Sequence, residues 1–179
     1  MGYLIKMEVL VVSKQIKKLV LAALFAALCC VMTLVIQIPA PTGHVNLGDV
    51  AVLLSAWILG PVWGGAAAGV GSALADMLSY PAYAPATFVI KFAMATAAAL
   101  IFGLAKKRGH KYIGMVMGAI VAEAVMVGGY FLYECVVLAV GAAAAASIPF
   151  NLVQGTVGAV AGLAAAVLLD RGGLLDRTK

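Results

Sequence analysis

Long apolar runs separated by short polar interruptions organise this chain. Runs near residues 14–37, 49–60, 62–79, 86–105, 112–138 and 148–169 consist mainly of Ala, Val, Leu, Ile, Gly and Met. About 20 residues rising 1.5 Å each cross the roughly 30 Å hydrocarbon core of a bilayer, so most of these runs are predicted to be membrane-spanning helices. The second run is only about a dozen residues long, too short to span upright. It is either a tilted, partly buried helix or continuous with the third across Gly60-Pro61. With 65% hydrophobic and 11% charged residues, a chain of 179 residues has too little polar surface for a water-soluble domain. The expected fold class is an all-α integral membrane protein.

The positions of the basic residues count the helices. Lys14, Lys17 and Lys18 precede the first run, Lys106, Lys107, Arg108 and Lys111 separate the fourth from the fifth, and Arg171, Arg177 and Lys179 follow the sixth. Short loops rich in Lys and Arg stay on the cytoplasmic side. Six crossings put all three clusters on that side, whereas five would oppose the first cluster to the others. The loops at 38–48, 80–85 and 139–147 contain neither Lys nor Arg. Six transmembrane helices with both termini cytoplasmic are therefore expected. The division is a cytoplasmic segment 1–13, a membrane domain 14–170 and a cytoplasmic tail 171–179. The net charge of +5 follows from this asymmetry, and no nucleic-acid partner is implied. A cleavable signal is not evident, and Lys6 takes Gly2 out of an N-myristoylation pattern. Cys29, Cys30 and Cys135 lie in apolar runs without metal-ligand or disulfide spacing and read as packing residues.

Once the topology is set, every polar residue has a depth. Asp49, Asp76, Lys91, Tyr130, Tyr133, Glu134, Asn151 and Gln154 all fall in the outer half, beside the polar stretch of residues 43–49 that includes His44 and Asn46. Unpartnered polar groups in a bilayer cost several kcal/mol, so one outward-open pocket is the economical explanation. Residues three, four, seven and eleven apart share a helix face. Gly65, Gly69, Ser72 and Asp76 form one such stripe; Glu123, Tyr130 and Glu134 another; Thr87 and Lys91, and Asn151, Gln154 and Gly158, two more. The glycine pairs Gly60/Gly64, Gly65/Gly69, Gly114/Gly118 and Gly158/Gly162 read first as close helix contacts. Asp49 reads as a helix cap, and Asp76 with Lys91 either as an ion pair or as ligand contacts. Glu123, about 16 Å along its helix, must be neutral or partnered, and it is the group an autonomous proton-coupled carrier would use. His44 reads as a lid residue rather than a metal ligand, and His110 as part of the basic inner loop. No phosphate-binding loop, nucleophile elbow or His-Glu-x-x-His pair occurs, so the chain is expected to be no enzyme and to hold no cofactor or metal.

Several motifs together carry a specific resemblance: Asn46-Leu47-Gly48-Asp49, Gly60-Pro61-Val62-Trp63-Gly64-Gly65, the run from Gly71 to Asp76, Pro85-Ala86-Thr87 leading to Lys91, and Pro149-Phe150-Asn151-Leu152-Val153-Gln154. In these the chain resembles, from about residue 14 to 170, the substrate-binding S component of energy-coupling factor (ECF) vitamin transporters, closest to the hydroxymethylpyrimidine/pyridoxine and riboflavin types. The resemblance implies a six-helix subunit that captures a vitamin or its precursor from outside and works with a transmembrane T component and two cytoplasmic ATPases. It also implies a helix 1 Ala-x-x-x-Ala contact with the T component, for which Ala22/Ala26 and Ala23/Ala27 are overlapping candidates, and a lid spanning residues 39–48. Riboflavin types carry Lys where this chain has Gln154, which favours a smaller aromatic heterocycle. The site residues so indicated are Asn46, Asp76, Lys91, Tyr130, Tyr133, Glu134, Asn151 and Gln154.

Overall fold

A computed structural model describes residues 2–41 and 43–173. It contains the helices α1 (Gly2–Val35), α2 (Gly48–Ser79), α3 (Ala84–Lys107), α4 (Lys111–Val136) and α5 (Ile148–Arg171). Two short strands, β1 (Ile38–Pro39) and β2 (His44–Val45), form an antiparallel hairpin between α1 and α2, and a 3-10 helix (Gly141–Ser147) leads into α5. Five helices among the described residues are long and apolar enough to cross a membrane. Arg177 and Lys179, invoked for the charge asymmetry, lie outside the described residues, as does the side chain of Lys14.

The runs expected at 49–60 and 62–79 form the single element α2, and it is sharply broken. Gly60 has φ 82° and ψ −175°, a backbone conformation that side-chain-bearing residues rarely adopt, and Pro61 follows it without an amide proton to donate. Ser55 Oγ donates to the Gly64 carbonyl at 3.1 Å. In a straight helix these residues would lie about 13.5 Å apart along the axis. The arms before and after Gly60 therefore fold back on each other. Both ends of α2 consequently reach the same end of the bundle, where the His44 and Tyr80 rings sit 4.9 Å apart. Gly60 and Gly64 are thus not an equivalent pair: Gly60 makes the reversal and Gly64 permits the contact across it. A Cβ on Gly64 would lie 2.6 Å from the Ser55 carbonyl oxygen. Gly64→Ala is expected to destabilise the protein by about 1–3 kcal/mol through overpacking and Gly60→Ala by about 1–2 kcal/mol through backbone strain, each measured by thermal unfolding in detergent.

The bundle is apolar outside and packed with small residues within, as lipid solvent requires. Leu24, Val62, Leu78, Leu104 and Leu168 are exposed, while Ala51, Ala68, Ala95, Ala98, Ala119 and Ala122 are fully buried. α2 is the central element, packing most extensively against α1 and α3. Gly65 and Gly69 face α3, Gly114 and Gly118 face it from α4, and Gly158 and Gly162 from α5 meet Asp49 and Leu53 on α2. Gly71 presses against the Ala26 backbone of α1, so Ala22, which is buried, and Ala26 belong to the inward side of α1, whereas Ala23 and Ala27 are exposed. At the far end of the bundle Asp170 of α5 pairs with Lys111 and accepts a hydrogen bond from Tyr112 Oη at 2.9 Å, joining the start of α4 to the end of α5.

Candidate functional site

A cavity opens at the end of the bundle where α1, α2 and α4 finish and where α3, α5 and the first arm of α2 begin. Its empty volume is about 520 Å³, open space at the mouth included. Seven of the eight sequence-predicted residues, Asn46, Asp76, Lys91, Tyr130, Glu134, Asn151 and Gln154, line it. Tyr133 does not. Its hydroxyl donates to the Ala82 carbonyl and its ring packs 5.6 Å from that of Tyr83, so it braces the loop between α2 and α3 from outside.

One group of lining residues is held by mutual bonds. Lys91 forms an ion pair with Asp49, and both side chains are almost completely enclosed. The Gln154 amide donates to Asp49 Oδ2 at 2.7 Å, and its oxygen accepts from the Asn46 backbone N–H at 2.9 Å. Asn46 Oδ1 in turn accepts from the Gly48 N–H at 2.8 Å. This chain of contacts corrects two expectations. Asp49 does not cap α2; the Asn46 side chain takes an amide at the helix start, and Asp49 neutralises a buried ammonium instead. Lys91 accordingly pairs with Asp49, not with Asp76. Gln154, with both ends of its amide engaged, ties α5 to the start of α2.

A second group faces the cavity more directly. Asp76 Oδ2 accepts from Thr87 Oγ1 at 2.5 Å, and Thr87 Oγ1 lies 2.9 Å from Tyr130 Oη. Glu134 accepts from Ser147 Oγ at 2.6 Å and from Tyr83 Oη at 3.3 Å. The rings of His44, Tyr80, Tyr83 and Tyr130 follow one another around the wall, with successive centroids 4.9, 6.4 and 6.2 Å apart. Thr33 and Ser72 also line the cavity; their hydroxyls are buried, and neither has a hydrogen-bond partner among the described residues.

Sequence reasoning missed Thr33, Tyr80, Tyr83 and Ser147. Tyr80 and Tyr83 bracket Pro81 in the short loop between α2 and α3, and an aromatic pair at that position was the available signal. A lone Thr or Ser at the end of an apolar run looks the same as one that bonds its own helix backbone, so Thr33 and Ser147 carried none.

The hairpin covers the mouth. Pro39 pairs with His44 in register, and the Ala40 N–H donates to the Gly43 carbonyl at 2.9 Å. His44 reaches Gln37 Nε2 at 3.3 Å from its own Nε2 and packs on Tyr80, linking this segment to the far arm of α2. Burial pushes the His44 imidazole below its ordinary value, more strongly than the Asp76 charge pulls it up. The folded state thus binds the proton less readily than the unfolded chain. This contribution costs nothing at pH 8 and weakens the fold as pH falls through the unfolded value of about 6.5. His44→Phe is expected to flatten that acid dependence in thermal unfolding measured between pH 5 and pH 8.

Glu123 lies apart from the lining. It is buried, both its oxygens are without hydrogen-bond partners among the described residues, and it packs against Gly155. A Cβ on Gly158 would touch both Asp49 Cβ and, at 3.4 Å, Glu123 Oε1, so the two carboxyl groups border the same glycine. A chain of donors leading away from Glu123 is absent among the described residues. No group of three or more metal-ligating side chains occurs among them either.

Known proteins resemble this chain in sequence and in fold. A family model described as ECF-type riboflavin transporter, S component, matches residues 13–171. An uncharacterized protein in the gap 3' region of Pyrococcus woesei is 38% identical over 117 residues, which are 64% of this chain and 76% of that one. The structure of the S component of a bacterial ECF transporter superposes with a TM-score of 0.67 at 24% identity, over 88% of this chain and 97% of that chain. At that identity the likeness is one of fold.

Proposed function

Since the chain belongs to the family of ECF-type riboflavin transporter S components, we propose that it captures a vitamin or vitamin precursor, a small aromatic heterocycle of the hydroxymethylpyrimidine or pyridoxine kind, from outside the cell. S components are membrane transport subunits rather than enzymes, and they work with a T component and ATPases. The observation that carries the reading is the cavity itself. Three outer loops and the tops of the helices converge on it, and it joins an arc of aromatic rings to hydroxyl, amide and carboxylate groups. Rings on the wall suit a flat heterocycle, and the polar groups suit its ring nitrogens and substituents. Gln154 supports a ligand smaller than riboflavin because its amide closes the Asn46–Asp49 contact across the floor.

In this reading six passes of the chain cross a prokaryotic plasma membrane, with the two arms of α2 counted separately. Both termini are cytoplasmic, the hairpin at residues 38–45 is the lid, and two cytoplasmic ATPases drive release through the T component. The competing reading, a carrier that works alone on a proton taken up by Glu123, is separated by one reconstitution. Liposomes containing the chain alone are expected to accumulate no labelled heterocycle, and liposomes containing it with T component and ATPases to do so with ATP. Glu123→Gln is expected to leave binding within about threefold and thermal stability equal or higher, because it removes a buried carboxylate without donors. ATP-independent uptake by the chain alone, abolished by Glu123→Gln, would establish the carrier instead.

A further inference from the structure

The charge and hydrogen-bonding state of the cavity lining go beyond the capture reading, on which this inference rests, and specify the ligand's charge. Lys91 is the lining's one ammonium among the described residues, and Asp49 neutralises it. Asp76 has no such partner. It is nine-tenths enclosed, one oxygen accepts from Thr87, and no cation among the described residues lies within ion-pair distance of it. A carboxylate removed from water and left without an opposite charge is costly, and an incoming cation relieves that cost.

Two further observations point the same way. The rings of His44, Tyr80, Tyr83 and Tyr130 line the cavity, and the face of a tyrosine ring attracts a cation, as the Tyr130 ring does with Lys91 Nζ at 5.6 Å from its centroid. Ser72, one helical turn from Asp76 on the same face, and Thr33 on α1 line the cavity, and their hydroxyls are buried without a hydrogen-bond partner among the described residues. Buried hydroxyls left unsatisfied are exceptions that a bound molecule would remove. We propose that the ligand is a cationic or protonated nitrogen heterocycle, its positive edge held against Asp76 and its remaining polar substituents taken by the Ser72 and Thr33 hydroxyls. Asp76 sets the charge preference and Ser72 and Thr33 set the substituent pattern, while the Lys91–Asp49–Gln154 group keeps the floor in shape.

The test uses the full-length protein in detergent and calorimetric titration with three probes. These are 3-hydroxymethyl-N-methylpyridinium, whose charge is permanent, its uncharged carbon isostere 3-methylbenzyl alcohol, and riboflavin. The pyridinium is expected to bind at least tenfold more tightly than the isostere. Asp76→Asn is expected to reduce pyridinium affinity by about 10- to 100-fold while leaving the isostere within about threefold, as loss of an opposite charge should. Ser72→Ala, a change too small to disturb the bundle, is expected to weaken the pyridinium by about 3- to 10-fold. Equal or tighter binding of the isostere, or an Asp76→Asn protein that keeps its pyridinium affinity, would overturn this inference and leave the capture reading standing, whereas equal or tighter binding of riboflavin would overturn both this inference and the assignment of a ligand smaller than riboflavin. If none of the three bound, this inference and the capture reading would both fall.

Discussion

Replacing Lys91 by alanine is expected to destabilise the protein by about 3–5 kcal/mol, the cost of leaving one member of a buried ion pair behind. Asp49 is fully buried, and its remaining donor, the Gln154 amide, is neutral. Without the ammonium the carboxylate must either stay charged in an apolar interior or take a proton, and Gln154 loses the anion that orients it. The strain then passes to Asn46 and the start of α2, which the same amide anchors. At about 2–4 °C per kcal/mol for a chain of this size, the midpoint in detergent should fall by roughly 6–20 °C. Ligand binding should be lost with it. Removing both charges in Lys91→Met with Asp49→Leu should recover much of the stability, since an apolar pair can replace a buried salt bridge at little cost. A Lys91→Ala protein as stable as the parent would show that the pair is not what holds the floor of the cavity.

The second large effect separates binding from transport. Ala22 and Ala26 lie toward α2, with the Ala26 backbone pressed on Gly71, whereas Ala23 and Ala27 face outward along α1. A flat strip of small residues on an otherwise bulky apolar helix accepts a close-packed partner helix, and Leu24 and Leu28 flank it. Ala23→Trp or Ala27→Trp should therefore abolish ATP-dependent uptake in the complex while ligand affinity stays within about twofold. Ala22→Trp should instead damage the bundle and lower thermal stability. Loss of binding from the Ala23 or Ala27 change would mean that this strip supports the cavity rather than a T component.

Much of the cavity was legible in the sequence because lipid makes polar residues conspicuous. Asp76, Lys91, Tyr130, Glu134 and Gln154 stand out against Ala, Val and Leu, and helical spacing sends them to one end. The reversal at Gly60-Pro61 could also be suspected, from a first arm too short to span and from the side taken by the basic loops. What could not be read was the pairing. Asp49 and Lys91 are 42 residues apart and meet only because α2 returns on itself beside α3, whereas similar depth on consecutive helices offered Asp76 as the partner of Lys91. Tyr133 was misplaced for a related reason: it is next to Glu134 in sequence, but a helix turns about 100° per residue, and that rotation carries its ring out to Ala82. The short hairpin at 38–45 was visible only as a loop, since two residues per strand leave no alternation to detect.

The central claim is that this chain on its own captures a small aromatic nitrogen heterocycle in the cavity between the outer ends of its helices. The most direct measurement is denaturing mass spectrometry of small molecules released from the purified full-length protein, compared with the Asp76→Asn protein. The account predicts one heterocycle smaller than riboflavin, near one per chain in the parent and depleted in the variant. Riboflavin released equally from both proteins, or no small molecule retained by either and none taken up when offered, would contradict it.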